Sequence, residues 1–182
     1  MEEKKITSVP GFVAGVVKVG DLLETALAVV GGAAVVAFVS AVFLDVAARE
    51  AHHPISWGQE IALFTYIWAI FMGSAIGVRH GTHFTIDLVL NQIKGGVRKW
   101  VDLFDHLVIF LFVAVLLYYG WQYALVCLNR FSQPTGICMT WGSACMVVGA
   151  VCMVYFCVEY FILALAGTDL AQYKAMGKEG DQ

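Results

Sequence analysis

The sequence predicts an all-α integral membrane protein with four transmembrane helices, and two observations support that prediction. The chain of 182 residues is 60% hydrophobic and only 14% charged, far from the balance of a soluble domain. Its apolar residues form runs that can cross a hydrocarbon core of about 30 Å, which takes about 20 helical residues. Residues 1–182 are expected to form one membrane domain, with spans at 22–44, 57–78, 103–128 and 141–166.

Short polar segments join the first span to the second and the third to the fourth. These connections, 45–56 and 129–140, are too short to let the chain run back across the membrane. Consecutive helices joined in this way pack side by side and antiparallel. We therefore expect two helical hairpins within one bundle.

Two other segments are predicted to be amphipathic helices lying in the plane of the membrane. In segment 1–20, Val13 and Val17 lie on one side at helical spacing, and Pro10 suits a first helical turn. Segment 84–97 has an apolar stripe opposite polar side chains, and a hydrophilic hairpin is the alternative for it. The tail, 167–182, is polar and is expected to be partly disordered.

The distribution of Lys and Arg predicts the orientation of the chain. Nine of the 11 Lys and Arg residues fall in the N-terminal segment, the middle loop and the tail. The other two, Arg49 and Arg130, lie in the first and third loops. Because basic residues concentrate on the cytoplasmic side, both termini are predicted to be cytoplasmic in a bacterial inner membrane. No basic patch with interleaved aromatics is present, so nucleic acid is not an expected partner.

Charged residues near the first loop are expected at the outer membrane boundary. Asp45 and Arg49 are four residues apart on a helix, a spacing that lets opposite charges meet. Glu60 lies one turn into the second span and needs a partner there, for which Arg49 is the candidate. A role for Glu60 as a proton or cation ligand is the alternative. Trp57 is placed where an indole anchors a helix at the lipid–water boundary.

A second charged pair is predicted at the opposite boundary. Glu159 lies about 27 Å along the fourth span from Trp141, at 1.5 Å per residue. That places Glu159 beside the cytoplasmic face and within reach of Arg79. No charged side chain is left near the bilayer centre, where a secondary transporter binds its ions.

Motifs for catalysis, metal binding and cofactor binding are absent from the sequence, so we expect a protein that is not an enzyme. The five histidines lie in loops or at helix ends, which disfavours haem ligation between two helices. A four-helix membrane redox protein using cysteine or histidine chemistry is the alternative function. Cys127 and Cys138 flank the third loop and can form a disulfide if that loop is periplasmic.

Small residues at helical spacing predict close helix contacts in lipid. Ala69, Gly73 and Gly77 recur every four residues on the second span, and Gly142 and Gly149 belong to a similar groove on the fourth. Ala28 and Gly32 form a shorter pair on the first span. A four-helix bundle does not need all of these faces, which suggests a protein partner.

Three motifs resemble the small membrane subunit of TRAP transporters, the DctQ-like family. They are the sequences DVAAR (Asp45–Arg49), PISWGQE (Pro54–Glu60) and RHGTHFTID (Arg79–Asp87). The third motif contains Gly81 and His83 and ends the second span. Their order and spacing, the four spans and the cytoplasmic termini all agree with this family.

The resemblance implies a function that the residues alone do not reveal. TRAP systems are sodium-coupled secondary importers of organic acids such as C4-dicarboxylates and sialic acids. A periplasmic substrate-binding protein captures the substrate, and a large membrane subunit carries it with the sodium ions. The small subunit binds the large one, among membrane lipids, and extends its fixed scaffold. The polar tail suggests that the large subunit is a separate chain, and docking of the binding protein through loop 129–140 is left open.

Overall fold

A computed structural model of the chain describes residues 11–53, 55–80 and 97–165. These residues form four α-helices, each long and apolar enough to cross a membrane, which confirms the predicted number of spans. Between the third and fourth helices, Phe131 and Cys138 form an isolated antiparallel bridge. The helices are α1 (Gly11–Glu50), α2 (Gly58–His80), α3 (Val97–Cys127) and α4 (Thr140–Leu165).

Helix α1 is one continuous helix of 40 residues, about 60 Å long at 1.5 Å per residue. The sequence had predicted a boundary between an interfacial arm, 1–20, and a span, 22–44, and no such boundary exists. The buried and half-buried positions explain the continuity, because together they recur every three or four residues from one end to the other. Residues on this stripe include Val13, Val17, Gly20, Leu27, Gly31, Ala41 and Asp45.

The other three helices begin and end close to the predicted spans, although α3 starts six residues earlier than expected. Most of the predicted amphipathic helix at 84–97 lies outside the described residues, and its last residue, Val97, opens α3. The polar tail at 167–182 also lies outside them.

The helices are arranged in space in the order α1, α2, α4, α3. Helix α1 packs along α2, α2 packs on α4, and α4 packs on α3, while α1 touches α4 at one end. The helix pairs α1–α2 and α3–α4 are the antiparallel neighbours that the short connections predict. Because α1 and α3 lie at opposite edges, the array is open, and each edge helix buries one side only.

Glycines allow α4 to approach both of its neighbours closely. A methyl group on Gly142 would lie 2.8 Å from the ring of Phe64 in α2, and one on Gly149 would lie 3.0 Å from Phe71. Towards α3, a methyl group on Gly120 would lie 2.9 Å from the sulfur of Met146. The structure therefore places the predicted small-residue groove of α4 inside the bundle.

Candidate functional site

Arg79, in the last turn of α2, is buried at the end of the bundle where α1 begins and α4 ends. Its Nε donates to Oε2 of Glu159 at 3.1 Å, and its Nη2 donates to Oε1 at 2.9 Å. The side chains of Arg79 and Glu159 are 1% and 2% exposed. The sequence had placed Arg79 and Glu159 near the same membrane surface, and the structure pairs them. Their two parallel hydrogen bonds form the bidentate arrangement that suits a guanidinium and a carboxylate.

Two acidic residues of α1 complete the surroundings of Arg79. Its Nη1 lies 2.9 Å from Oδ1 of Asp21 and also contacts the carboxylate of Glu24. His80, the next residue of α2, places its Nε2 at 2.8 Å from the other oxygen of Glu24. Sequence reasoning missed Asp21 and Glu24, although two acids three residues apart in an apolar run were a usable signal.

Gly20 provides the space that this cluster needs. A methyl group on Gly20 would lie 2.7 Å from Nη2 of Arg79 and 2.7 Å from both carboxylate oxygens of Glu159. Because the backbone of α1 has no side chain at this point, the ion pair between α2 and α4 can press directly against it. We call Gly20, Asp21, Glu24, Arg79 and Glu159 the arginine clamp.

Further contacts hold the start of α1 against α4 beside the clamp. The hydroxyl of Tyr155 donates to the carbonyl of Val16 at 2.9 Å, and Val13 and Val17 pack with Leu163. The guanidinium carbon of Arg79 lies 5.4 Å from the centre of the Phe156 ring, within the range of a cation–π contact.

The clamp therefore joins three helices through one side chain. Arg79 belongs to α2, Glu159 to α4, and Asp21 and Glu24 to α1. Removing one partner of a buried ion pair costs about 3–5 kcal/mol, because the other charge stays behind without compensation. The arrangement fixes helix positions and leaves Arg79 few donors for a ligand.

Asp45 and Arg49 form the predicted ion pair at the opposite end of the array, where Oδ2 of Asp45 lies 2.8 Å from Nη2 of Arg49. Asp45 is buried against the first residue of α2, and a methyl group on Gly58 would lie 3.2 Å from its Oδ1. A carboxylate at a helix N-terminus interacts favourably with the helix dipole. Trp57 precedes this helix start and is exposed.

Glu60 has a different partner from the predicted one. Its Oε2 accepts a hydrogen bond of 2.7 Å from the hydroxyl of Thr135, in the connection between α3 and α4. The expected pairing with Arg49 is wrong, because Arg49 is held by Asp45 on its own helix while the connection folds over the first turn of α2.

That connection is an ordered hairpin, which we call the α3–α4 hairpin (residues 128–139). Its arms are joined by hydrogen bonds from Ser132 N to Ile137 O and from Met139 N to Arg130 O, both 2.9 Å. Gly136 takes a positive φ of 67° at the turn, a conformation open to glycine at no steric cost. We call this end of the array the hairpin end and the opposite one the clamp end.

The two charged ends are separated by about the thickness of a bilayer core. Glu24 and Asp45 are about 31 Å apart along α1, and Glu60 and Arg79 are about 28 Å apart along α2. No charged residue lies between either pair in the sequence. The hydrocarbon core is about 30 Å thick, so the two levels suit its two surfaces.

Two of the remaining predicted residues lie on α2, between its charged ends. Gly73 is exposed on α2, and Gly77 is partly buried one turn later. Gly81, His83 and Asp87 lie outside the described residues. Within residues 11–53, 55–80 and 97–165, no group of three or more His, Cys, Asp or Glu residues is placed to hold a metal ion.

Four apolar helices with charged side chains at two levels define a multi-pass membrane protein. The sequence profile described as "Tripartite ATP-independent periplasmic transporters, DctQ component" matches residues 38–167, well over half of the chain. The chain therefore belongs to this family, and the predicted resemblance is confirmed.

Two curated relatives agree with this assignment. The sialic acid TRAP transporter permease protein SiaT of Haemophilus influenzae (strain 86-028NP) is 24% identical over 91 residues, which are 50% of this chain and 15% of that protein. The C4-dicarboxylate TRAP transporter small permease protein DctQ of Rhodobacter capsulatus is 34% identical over 44 residues, 24% of this chain and 19% of that protein. The matched segments thus span less than a fifth of either relative.

Proposed function

We propose that this chain binds the large membrane subunit of a TRAP importer and extends its fixed scaffold, without carrying substrate itself. The observation that carries the proposal is the position of the charged side chains. In the described helices they lie at the two ends, and Arg79, the most deeply buried cation, is engaged by three carboxylates. A path for an ionic substrate needs polar groups at mid-depth, whereas a scaffold needs helices held rigidly together.

The surface of the α1–α2 pair supports a binding role. At its middle, Gly31 packs against Met72, because a methyl group on Gly31 would lie 3.1 Å from the Cβ of Met72. Gly32 follows Gly31 on α1, and Gly73 follows Met72 on α2. Each step along a helix turns the side-chain direction by about 100°, so both glycines point away from the contact between the two helices. Since α1 and α2 are antiparallel, both glycines turn towards the same side of the pair.

This side, which we call the glycine face (Gly32 and Gly73), is open. Both residues are exposed, and a methyl group on either would meet nothing within 4 Å. Helix α4 occupies the opposite side, where Phe71 meets Gly149. Small residues let helices approach closely in lipid, so we propose that a helix of the large subunit packs on the glycine face.

The proposed orientation follows from the charges. Four of the six Lys and Arg residues that the structure describes, Lys18, Arg79, Arg98 and Lys99, lie in the helical turns at the clamp end. This end is proposed to be cytoplasmic, with both termini, in a bacterial inner membrane. The hairpin end then faces the periplasm, where a substrate-binding protein delivers its cargo. The names of the relatives suggest sialic acid or C4-dicarboxylates as substrates. Sodium coupling and contact with membrane lipids belong to the same proposal.

Co-purification tests the glycine face directly. The chain is co-expressed with the large membrane subunit of the same transporter, and the recovered complex is measured for Gly32→Leu, Gly73→Leu and the double variant. We expect the complex to be lost while the thermal midpoint of the isolated subunit stays the same or rises. A methyl group at either position meets nothing within 4 Å, and leucine favours a helix more than glycine does. Ala114→Leu, on exposed α3, is the matched control and should leave the complex intact. Normal recovery of the double variant would contradict the proposed interface.

Reconstitution tests the wider function. Liposomes with this chain alone are expected to take up neither sialic acid nor a C4-dicarboxylate under a sodium gradient. Liposomes with both membrane subunits and the binding protein are expected to accumulate one of them. Uptake by the isolated chain would overturn the scaffold role.

A further inference from the structure

Two cysteines that the transport function does not use meet at the hairpin end. Cys127 is the last residue of α3, and Cys138 lies on the second arm of the α3–α4 hairpin. The sulfur of Cys138 lies 3.6 Å from the carbonyl oxygen of Cys127 and 3.4 Å from that of Leu128. The side chain of one cysteine therefore touches the backbone of the other.

The hairpin holds this approach in place. Met139 N donates to Arg130 O at 2.9 Å, and Arg130 N donates to Cys127 O at 3.1 Å, so the segments that carry the two cysteines are joined through Arg130. A disulfide requires Cα atoms about 4.4–6.8 Å apart. Both thiols are free in the structure, and the sulfur of Cys138 already reaches the backbone of Cys127. Forming the bond therefore requires the side chains of both cysteines to turn towards each other.

We propose that Cys127 and Cys138 form a disulfide in the native protein, which fastens the α3–α4 hairpin to the end of α3. The inference rests on the proposed periplasmic position of the hairpin end, since disulfides persist in oxidising compartments. It does not depend on the transport function. The other three cysteines, Cys145, Cys152 and Cys157, lie within α4 and away from the hairpin.

The thiols of Cys127 and Cys138 have different roles in forming the disulfide. Cys138 is partly exposed, and hydrogen bonds from Thr140 lower the pKa of its thiol, so its thiolate is the attacking group. It attacks the disulfide of a periplasmic thiol–disulfide oxidase, forms a mixed disulfide and releases one oxidase thiol. The buried Cys127 then attacks the Cys138 sulfur as a thiolate and releases the second oxidase thiol. Two thiols become one disulfide while the oxidase disulfide is reduced to a dithiol.

Oxidation would tie three helices together at this end. Thr135 of the hairpin already donates to Glu60 of α2, and the chain continues from the hairpin into α4. The peptide backbone already joins the hairpin to α3 at one point, and the disulfide adds a second covalent link between its far arm and the end of that edge helix. A disulfide that closes this loop reduces the number of conformations open to the unfolded chain. The reduced protein should therefore have a lower thermal midpoint than the oxidised protein.

Differential alkylation in cells tests the proposal. Membranes from expressing cells are quenched with N-ethylmaleimide, denatured, and analysed by peptide mass spectrometry before and after reduction. We expect a linked peptide pair containing Cys127 and Cys138, lost in Cys138→Ser and retained in the matched control Cys152→Ser. Full alkylation of both residues without prior reduction would overturn the proposal.

A second measurement tests whether Cys127 and Cys138 can form the bond at all, independently of the cellular compartment that the hairpin end faces. Purified protein in detergent is treated with oxidised glutathione, which needs no particular orientation in a membrane. We expect the same linked peptide and a 2 Da loss of mass from two thiol hydrogens. Failure to form the bond in detergent would overturn the geometric argument. Formation in detergent but not in cells would overturn the native disulfide and the proposed orientation, and would leave the scaffold role standing.

Discussion

Replacing Gly20 by alanine tests whether the arginine clamp depends on the bare backbone of α1. The added methyl group would lie 2.7 Å from Nη2 of Arg79 and from both carboxylate oxygens of Glu159. Ordinary van der Waals contacts are about 3.5–4.0 Å, so these atoms must move by close to 1 Å. Such ends of flexible side chains usually move easily, but here they are bonded to each other and buried.

The expected magnitude combines two opposing effects. Overpacking a buried site costs about 1–3 kcal/mol. Alanine in place of glycine within a helix offsets about 1 kcal/mol of that cost. We therefore expect Gly20→Ala to reduce the free energy of unfolding by up to about 2 kcal/mol, and by more if the pair between Arg79 and Glu159 opens.

Thermal unfolding in detergent, followed by circular dichroism, measures this change. Gly15→Ala, on the same helix, is the matched control, since a methyl group on Gly15 meets nothing within 4 Å. This substitution should leave the stability unchanged or raise it. In a Glu159→Ala background the added methyl group loses its main obstacle, so the effect of Gly20→Ala should shrink. If Gly20→Ala matched Gly15→Ala in stability, the proposed contact between α1 and the ion pair would be refuted.

Three further changes probe the two ends. Arg79→Lys keeps the charge but loses the two-pronged hydrogen bond, so the thermal midpoint should fall, though less than for Arg79→Ala; equal losses would contradict the argument from geometry. Thr135→Val removes the hydroxyl that binds Glu60, so amide hydrogen exchange in the α3–α4 hairpin should accelerate, and unchanged protection would count against this link. Thr140→Val should raise the pKa of the Cys138 thiol, because the hydroxyl that stabilises the thiolate is lost. In the reduced protein, iodoacetamide should then alkylate Cys138 more slowly at pH 7 and at an unchanged rate well above the thiol pKa. Equal rates at pH 7 would exclude the hydrogen bond as the cause of the lowered pKa.

Features that depend on position along one helix were predictable. The four spans follow from the length of the apolar runs, and the pair between Asp45 and Arg49 follows from a spacing of four residues. The level shared by Arg79 and Glu159 follows from the helical rise. Each of these depends on local geometry, which the sequence specifies without reference to other helices.

Features that depend on how helices are turned and ordered were not predictable. Glu60 was assigned to Arg49, yet the α3–α4 hairpin places Thr135 against it. The pattern of small residues did not reveal which of them pack inside the chain: Gly31 contacts Met72 of α2, whereas Gly32 faces outwards. A turn of about 100° per residue separates these outcomes, and only the packing of neighbouring helices selects between them.

The sequence by itself thus determined the class of the protein, its family and the positions of its charged residues along the helices. Hydrophobic length and helical rise act along a single axis, and the family follows from local motifs. The tertiary structure decided that α1 is one helix, that Asp21 and Glu24 join the clamp, and that Gly20 is the position where three helices meet. Those outcomes depend on contacts between residues far apart in the chain. They require the open order of α1, α2, α4 and α3, which no local pattern specifies.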